Sequence, residues 1–310
     1  MENAKAKKHF VFPRLKDKRG GFLNFSDYRN PAHRIGYAFI IIFLLLFSFL
    51  ALFPIIYLFA SSMKSVTEIN SSHYTFFPIY WDWNKLPVLW SKINFGRYYL
   101  NTLMYVIGCV FCGVLFNSLL AYGVNILKPF GYKLIDKLIF IGYMIPATLN
   151  ILPLFKEIVA TGILNMDQDS YLLYLPLWLS FGSNAYYYML FKDYFLRLPK
   201  YLLEAAKMDG SNDVKVFTRV VIPLSKPIIG IVAIFAMTAS YSDFLLPYLC
   251  LSNQNYQTVM VAVYNLSSTT VLDTSEFLLL LVMSIVPQIV IFLLFQRQIM
   301  GAGMSKGSKE

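Results

Sequence analysis

The sequence predicts an all-α integral membrane protein with six transmembrane helices. Three observations carry that prediction. Only 14% of the 310 residues are charged and 57% are hydrophobic, with a mean hydropathy of +0.55, whereas a soluble domain carries about 25% charged residues. Six stretches are apolar over roughly the 20 residues a spanning helix needs, at about 35–61, 99–127, 138–155, 172–195, 228–250 and 277–296. Lys and Arg alternate sharply between the connections that join them.

That alternation sets the orientation. The arm 1–34 holds nine basic residues, 128–137 three, 192–226 seven and the tail after 296 three; the intervening connections 62–98, 156–171 and 251–276 hold four, one and none. Thus 22 of the 27 fall on one side. Basic residues stay cytoplasmic, so both termini and the 192–226 connection are expected inside. The net charge of +10 therefore reads as membrane topology and not as a nucleic-acid surface.

In chain order, the arm 1–34 is a basic tail suited to anionic headgroups. Its charged stretch and the run after it are too long for a cleavable signal, so the first span is expected to remain. The core is expected over 35–300, with a tail at 301–310. The 62–98 connection carries Trp81, Trp83 and Trp90 with Tyr74, Phe76, Phe77 and Tyr80, either an aromatic belt at the headgroups or a docking surface. Cys109, Cys112 and Cys250 make no disulfide framework; Cys109 and Cys112, three apart in the second span, read as small packing residues, without the partners of a metal site. The third span is short and interrupted by Pro146 and Pro153. Broken helices need neighbouring protein to satisfy their backbone, so it is expected inside the bundle, away from lipid.

Between the fourth and fifth spans lies EAAKMDGSNDVKVFTRVVIPLSKP, 204–227, polar and helix-forming. Pro199 suits a first turn, 200–209 are good helix formers, and Lys200 and Glu204 are spaced to pair. Gly210 provides a stop. Ser211, Asn212 and Asp213 offer caps for a second helix through Val214, Val216, Phe217, Val220 and Val221, expected to end at Pro223. Ser225 and Pro227 start the next span. Ala205 and Ala206 permit close approach to another surface, and Leu202, Leu203 and Met208 add apolar contact. Such short helices are marginal alone and need something to lie against, either the bundle, an interface or a second protein.

The order Glu204-Ala205-Ala206, Asp209-Gly210, Phe217, Ile222-Pro223 and Pro227 resembles the EAA motif of ABC importer permeases. FASSMKSVTEI (59–69), INFGRYYLNTL (93–103), FLRLPKYLLEAAKMDG (195–210) and YSDFLLPYL (241–249) are also similar to segments of that family. Together they cover most of 35–300 and look like the sugar-transporting branch, within it the maltose-type second permease. Ser211 stands where alanine is commoner, and the long basic arm has no counterpart.

The resemblance implies a coupling helix in the loop 197–227, docked on a cytoplasmic ATPase that binds ATP and Mg, none of it in this chain. Glu204 and Asp209 would then make charged or capping contacts, Ala205 and Ala206 the close approach, Gly210 the turn, and Phe217 and Pro223 the support of the second helix. It also implies a second permease subunit, a dimer of ATPase subunits, an extracellular binding protein that delivers a sugar, and a bacterial plasma membrane. Polar side chains near mid-span are candidates for the sugar's path: Asn150, Asn184, Thr238, Ser240, Tyr241, Ser284 and Gln288, with Tyr187 and Tyr241 able to stack on sugar rings. Interhelical hydrogen bonding is the plainer reading of each. Asp243 is the carboxylate inside a predicted span, expected toward the outer face, where it meets solvent or a partner.

An ion-coupled secondary transporter is the alternative; such proteins use intramembrane carboxylates or broken helices, and the third span keeps it open. An ABC permease for a non-sugar solute is another. A membrane enzyme would need convergent His, Cys and carboxylate groups that the sequence does not supply. No G-x-x-x-x-G-K-[ST] phosphate loop occurs.

Overall fold

The computed structural model describes residues 31–71, 73, 75–165, 171–251, 254–268 and 271–304. The arm up to residue 30, Tyr74 and the end of the tail lie outside them. Among the described residues all regular structure is helical. Two compact units divide at residue 56. The first holds most of α1 (Pro31–Ser62), whose side chains from Ile35 to Ile56 are exposed apart from the half-buried Tyr37. A helix apolar all round needs an apolar surround.

The second unit is built around α4 (Phe95–Tyr122). Before it come α2 (Val66–Ile69) and α3 (Lys85–Lys92) of the 62–98 connection. After it come α5 (Tyr132–Met144), α6 (Ala147–Ala160), α7 (Leu175–Gly182) and α8 (Ala185–Phe195). Then follow α9 (Lys200–Met208), α10 (Asp213–Val216), α11 (Ile222–Leu224), α12 (Lys226–Ser242), α13 (Leu245–Cys250), α14 (Val259–Ser267) and α15 (Thr274–Met304). Helices α7, α8 and α12 pack along α4. The approach of α7 is close enough to require glycine: a Cβ on Gly108 would lie 2.2 Å from the Trp178 indole, and one on Gly182 2.8 Å from Phe116. Small residues at helix seams serve this purpose in membranes. Cys109, Cys112 and Cys250 are buried free thiols.

Among the described residues three helices are long and apolar enough to cross a membrane: Ile35–Ser62, Phe95–Leu127 and Thr274–Gln296. The other expected spans are interrupted. The third bends by 104° between α5 and α6, because Ile145 precedes Pro146 and takes an extended ψ of 124°, as residues before proline do. Pro153 does not break it and lies inside α6. The expected burial of this span is not met: every side-chain position from 141 to 150 is exposed. The bend divides the span into two short helices, one against α8 and the other against α13, which leaves their remaining faces uncovered.

The fourth expected span is two helices. Asn184 interrupts it by accepting the Tyr186 and Tyr187 amides at 3.0 and 3.2 Å, a cap that starts α8 afresh. The fifth stops at Asp243, whose ψ of 127° ends α12. The Tyr105 hydroxyl donates to Asp243 at 2.7 Å, so this carboxylate finds its partner within the chain.

Candidate coupling site and membrane path

The segment 197–227 folds as a helical elbow. Pro199 caps α9, which continues to Met208. Gly210 has φ +75°, a region glycine enters without strain. Its amide donates to the Lys207 carbonyl at 3.1 Å, and the Ser211 amide donates to Ala206 at 3.1 Å. These two bonds are the Schellman pattern that closes a helix C-terminus. Of the three possible caps for the second helix, Asn212 is used: its Oδ1 accepts the Lys215 amide at 2.9 Å.

Two local expectations change. The second helix does not end at Pro223. It passes through a π-helical turn, Phe217–Val221, into α11, and the wider turn accommodates the proline before the chain breaks at Ser225. The Lys200–Glu204 pair is not among the ion pairs of the described residues; Lys207 instead reaches Asp213 at 3.0 Å, across the corner of the elbow.

The elbow is fastened from below its second helix. Phe217 is buried and its ring lies 5.1 Å from Tyr122 at the end of α4. The Tyr122 hydroxyl donates to the Asp213 carbonyl at 3.1 Å, and the Tyr194 hydroxyl donates to the Leu224 carbonyl at 3.0 Å. Val216 and Val221 join the same core with Phe191, Phe195 and Leu203. From Leu224 the chain turns by 80° into α12.

The opposite face is open. Leu203 turns inward, but Glu204 and Ala205 are exposed, and Met208, Val214 and Tyr201 are 83%, 69% and 68% exposed. Asp209 and Gly210 sit at the exposed corner and Ala206 at the half-buried edge. Apolar side chains grouped with a carboxylate on a short, well-fastened element suit a protein surface.

The polar mid-span residues are spread over three places. Tyr241 is buried and donates its hydroxyl to the Ser284 carbonyl at 2.5 Å; Gln288 donates to Ser242 Oγ at 3.2 Å. These define a seam between α12 and α15. Ser240 is buried and bonds back to the Met237 carbonyl at 3.2 Å, and Thr238 to Ile234 at 2.9 Å. Tyr187 is buried against Gly113 of α4, next to the Asn184 cap. Asn150 lies apart, exposed on α6. A groove of about 1050 Å³ along α4, α12 and α15 is lined mostly by apolar side chains such as Val106, Val110, Met237 and Val290, with Thr102, Ser118 and Tyr241 at its wall; a lining so largely apolar matches hydrocarbon more than a polyhydroxyl solute.

Sequence reasoning missed Tyr122 and Tyr194 as anchors of the elbow. Both are tyrosines at the ends of apolar runs, where a ring can pack while its hydroxyl finds a polar group; that placement was the available signal.

This combination of a helical membrane chain and a fastened helix–glycine–helix elbow matches a known class. Residues 113–300 match the model of the family described as binding-protein-dependent transport system inner membrane component. The chain belongs to that family. Among similar proteins are the diacetylchitobiose uptake system permease protein NgcG of Streptomyces coelicolor, 30% identical over 86% of this chain and 86% of that protein, and the arabinooligosaccharides transport system permease protein AraQ of Bacillus subtilis, 28% identical over 83% and 90%. The sn-glycerol-3-phosphate transport system permease protein UgpE of Yersinia pestis is 27% identical over 80% and 89%. A chain from the crystal structure of a bacterial ABC transporter involved in the import of the acidic polysaccharide alginate has the same fold, with a TM-score of 0.75 and 22% identity over 86% of this chain and 98% of that one. The protein is a permease component of a bacterial inner membrane.

Proposed function

We propose that this permease forms the membrane path for a sugar or oligosaccharide, delivered by an extracellular binding protein and driven by a separate cytoplasmic ATPase dimer that binds ATP and Mg. In this reading the chain pairs with a second permease subunit, crosses the bilayer six times and keeps both termini, the arm 1–34 and the tail 301–310 in the cytoplasm. The single observation that carries it is the open face of α9: Glu204, Ala205 and Met208 turned outward on an elbow whose other side is fastened by Phe217, Tyr122 and Tyr194. Ala205 and Ala206 allow close contact with the ATPase, Glu204 and Asp209 supply charge or caps, Gly210 makes the corner, and Phe217 and Pro223 brace the second helix.

Asn150, Asn184, Tyr187, Ser240, Tyr241 and Gln288 are the proposed path residues, with the α12–α15 seam as their centre. The named substrates of NgcG and AraQ, diacetylchitobiose and arabinooligosaccharides, support a carbohydrate. The name of UgpE favours a second reading, a phosphorylated polyol.

The test is reconstitution of the complete transporter in vesicles with uptake measured across oligosaccharides and sn-glycerol 3-phosphate. ATP-dependent uptake of an oligosaccharide is expected. Gly210→Val, which forces a β-branched residue to φ +75°, is expected to remove ATPase copurification and lower uptake about ten-fold or more. Uptake that continues without any ATPase subunit would refute the coupling, and uptake confined to sn-glycerol 3-phosphate would replace the sugar.

A further inference from the structure

The helix that delivers the chain into the elbow, α8, is held by contacts separate from those described above. Asp136, in the first turns of α5, accepts Lys192 Nζ on both carboxylate oxygens, at 2.7 and 2.5 Å. The Tyr188 hydroxyl donates to the same carboxylate at 2.8 Å. That hydroxyl in turn accepts Asn125 Nδ2 at 3.0 Å, and Asn125 also donates to the Ala121 carbonyl at 3.1 Å. One run of hydrogen bonds therefore joins the π-helical turn that ends α4 (Gly123–Leu127) to α8 and then to α5.

The setting makes this run important to α5. That helix has no fully buried side chain; its apolar hold is limited to Tyr132 and Ile139, half-buried against the core. It packs on α8 and on the turn that ends α4, the same two elements the run joins. Tyr188 and Asn125 are buried, and the Lys192 and Asp136 side chains are 28% and 29% exposed. Charge-assisted bonds sheltered in this way are stronger than surface pairs. Lys137 lines the same shallow groove, with Phe140, Ile141 and Met189.

We infer that Asp136, Lys192, Tyr188 and Asn125 form a clasp that makes α5, α8 and the C-terminal end of α4 move with the elbow as one body. They are positioning residues for coupling: displacement of α9 passes directly up α8, and the clasp carries it across to the bent α5–α6 segment. The inference rests on the reading of the elbow as the ATPase lever.

The reconstituted transporter tests it through uptake per ATP hydrolysed. Asp136→Asn and Lys192→Met are each expected to leave ATPase copurification intact and to lower that ratio about ten-fold, since each strands a sheltered partner. Tyr188→Phe, which keeps the packing, is expected to lower it less. The swap D136K/K192D is expected to restore part of the loss. The double variant D136C/K192C should be uncoupled until a short bifunctional thiol cross-linker joins the two cysteines, and then recover; the native thiols are buried. An unchanged ratio in the single variants overturns the clasp. So does arrest on cross-linking, which would mean that the contact opens during transport. Loss of ATPase copurification in these variants also overturns it, because that is the signature of a failed elbow, supplied separately by Gly210→Val.

Discussion

The 197–227 elbow and the 62–98 connection are both polar excursions from an apolar body, yet they are fastened in opposite ways. The elbow is held by tyrosine hydroxyls that reach backbone carbonyls, Tyr122 to Asp213 and Tyr194 to Leu224, over a core of Phe217, Val216 and Val221. The 62–98 connection is held by ammonium groups. Lys64 is buried and donates to the Thr75 carbonyl. Lys85 donates to the carbonyls of Ser62, at 3.3 Å, and Lys64, and to the Ser275 hydroxyl. Lys92 pairs with Glu276 at 2.8 Å. Their exposed faces differ as well. The elbow offers short aliphatic and acidic groups, whereas the other connection offers aromatics: Trp81 and Trp83 stack with centroids 5.9 Å apart beside Phe59, and Tyr80 is 83% exposed. Trp90 is exposed too but packs one face against Phe95 and Tyr99. The lesson is that an element can be held by apolar packing or by chelated charge, and in both cases the holding groups sit on the inner side, which leaves the outer face to offer different chemistry.

Breaking each region separately sharpens that contrast. The largest effect is expected from Phe217→Ala, which empties the core under the elbow; a buried Phe truncation costs about 3–5 kcal/mol. Thermal unfolding of the purified protein and ATPase copurification should both report it, and a normal melting midpoint would contradict the apolar anchor. Next comes Lys85→Met, which removes the charged donor shared by the Ser62 and Lys64 carbonyls and the Ser275 hydroxyl and leaves both carbonyls with Ser275 alone, at about 1.5–3 kcal/mol for a hydrogen bond to a charged group. Limited proteolysis should accelerate within 62–98 while ATPase association persists. Cleavage that moved to the elbow instead would show the two regions to be coupled. The smallest effect belongs to Lys207→Ala. The pair with Asp213 is half exposed on both sides, so its loss should amount to well under about 1 kcal/mol, and a melting midpoint unchanged within error is the expected result.

What the sequence disclosed depended on the range of the interaction. Gly210 was legible because a left-handed helix stop is a property of six consecutive residues, Ala206 to Ser211, and the break at Pro146 because proline acts on its immediate neighbour. Pro223 was misread since proline normally ends a helix, and the π turn that accommodates it begins at Phe217, whose ring packs against Tyr122, 95 positions earlier in the chain's numbering. Asn184 looked like a mid-span polar group because periodicity says nothing of a cap hidden inside an apolar run. The third span was expected to be buried on a general rule about broken helices, but the rule concerns backbone groups, and the 104° bend leaves the side chains outside. Asp136 and Lys192 carried no local signal at all: each sits at the edge of a span, and only the packing of α5 on α8 makes them partners.

The elbow's fastenings share one property of order. Tyr122, Asn125, Asp136, Tyr188, Lys192 and Tyr194 all precede Gly210, and the corner itself closes through bonds among Ala206, Lys207, Gly210 and Ser211. Every polar group that grips the elbow has thus been synthesised before α12 leaves the ribosome. The polar grip on the lever precedes the last two spans, and α12 then completes the apolar core beneath it with Ile228, Val232 and Ala236.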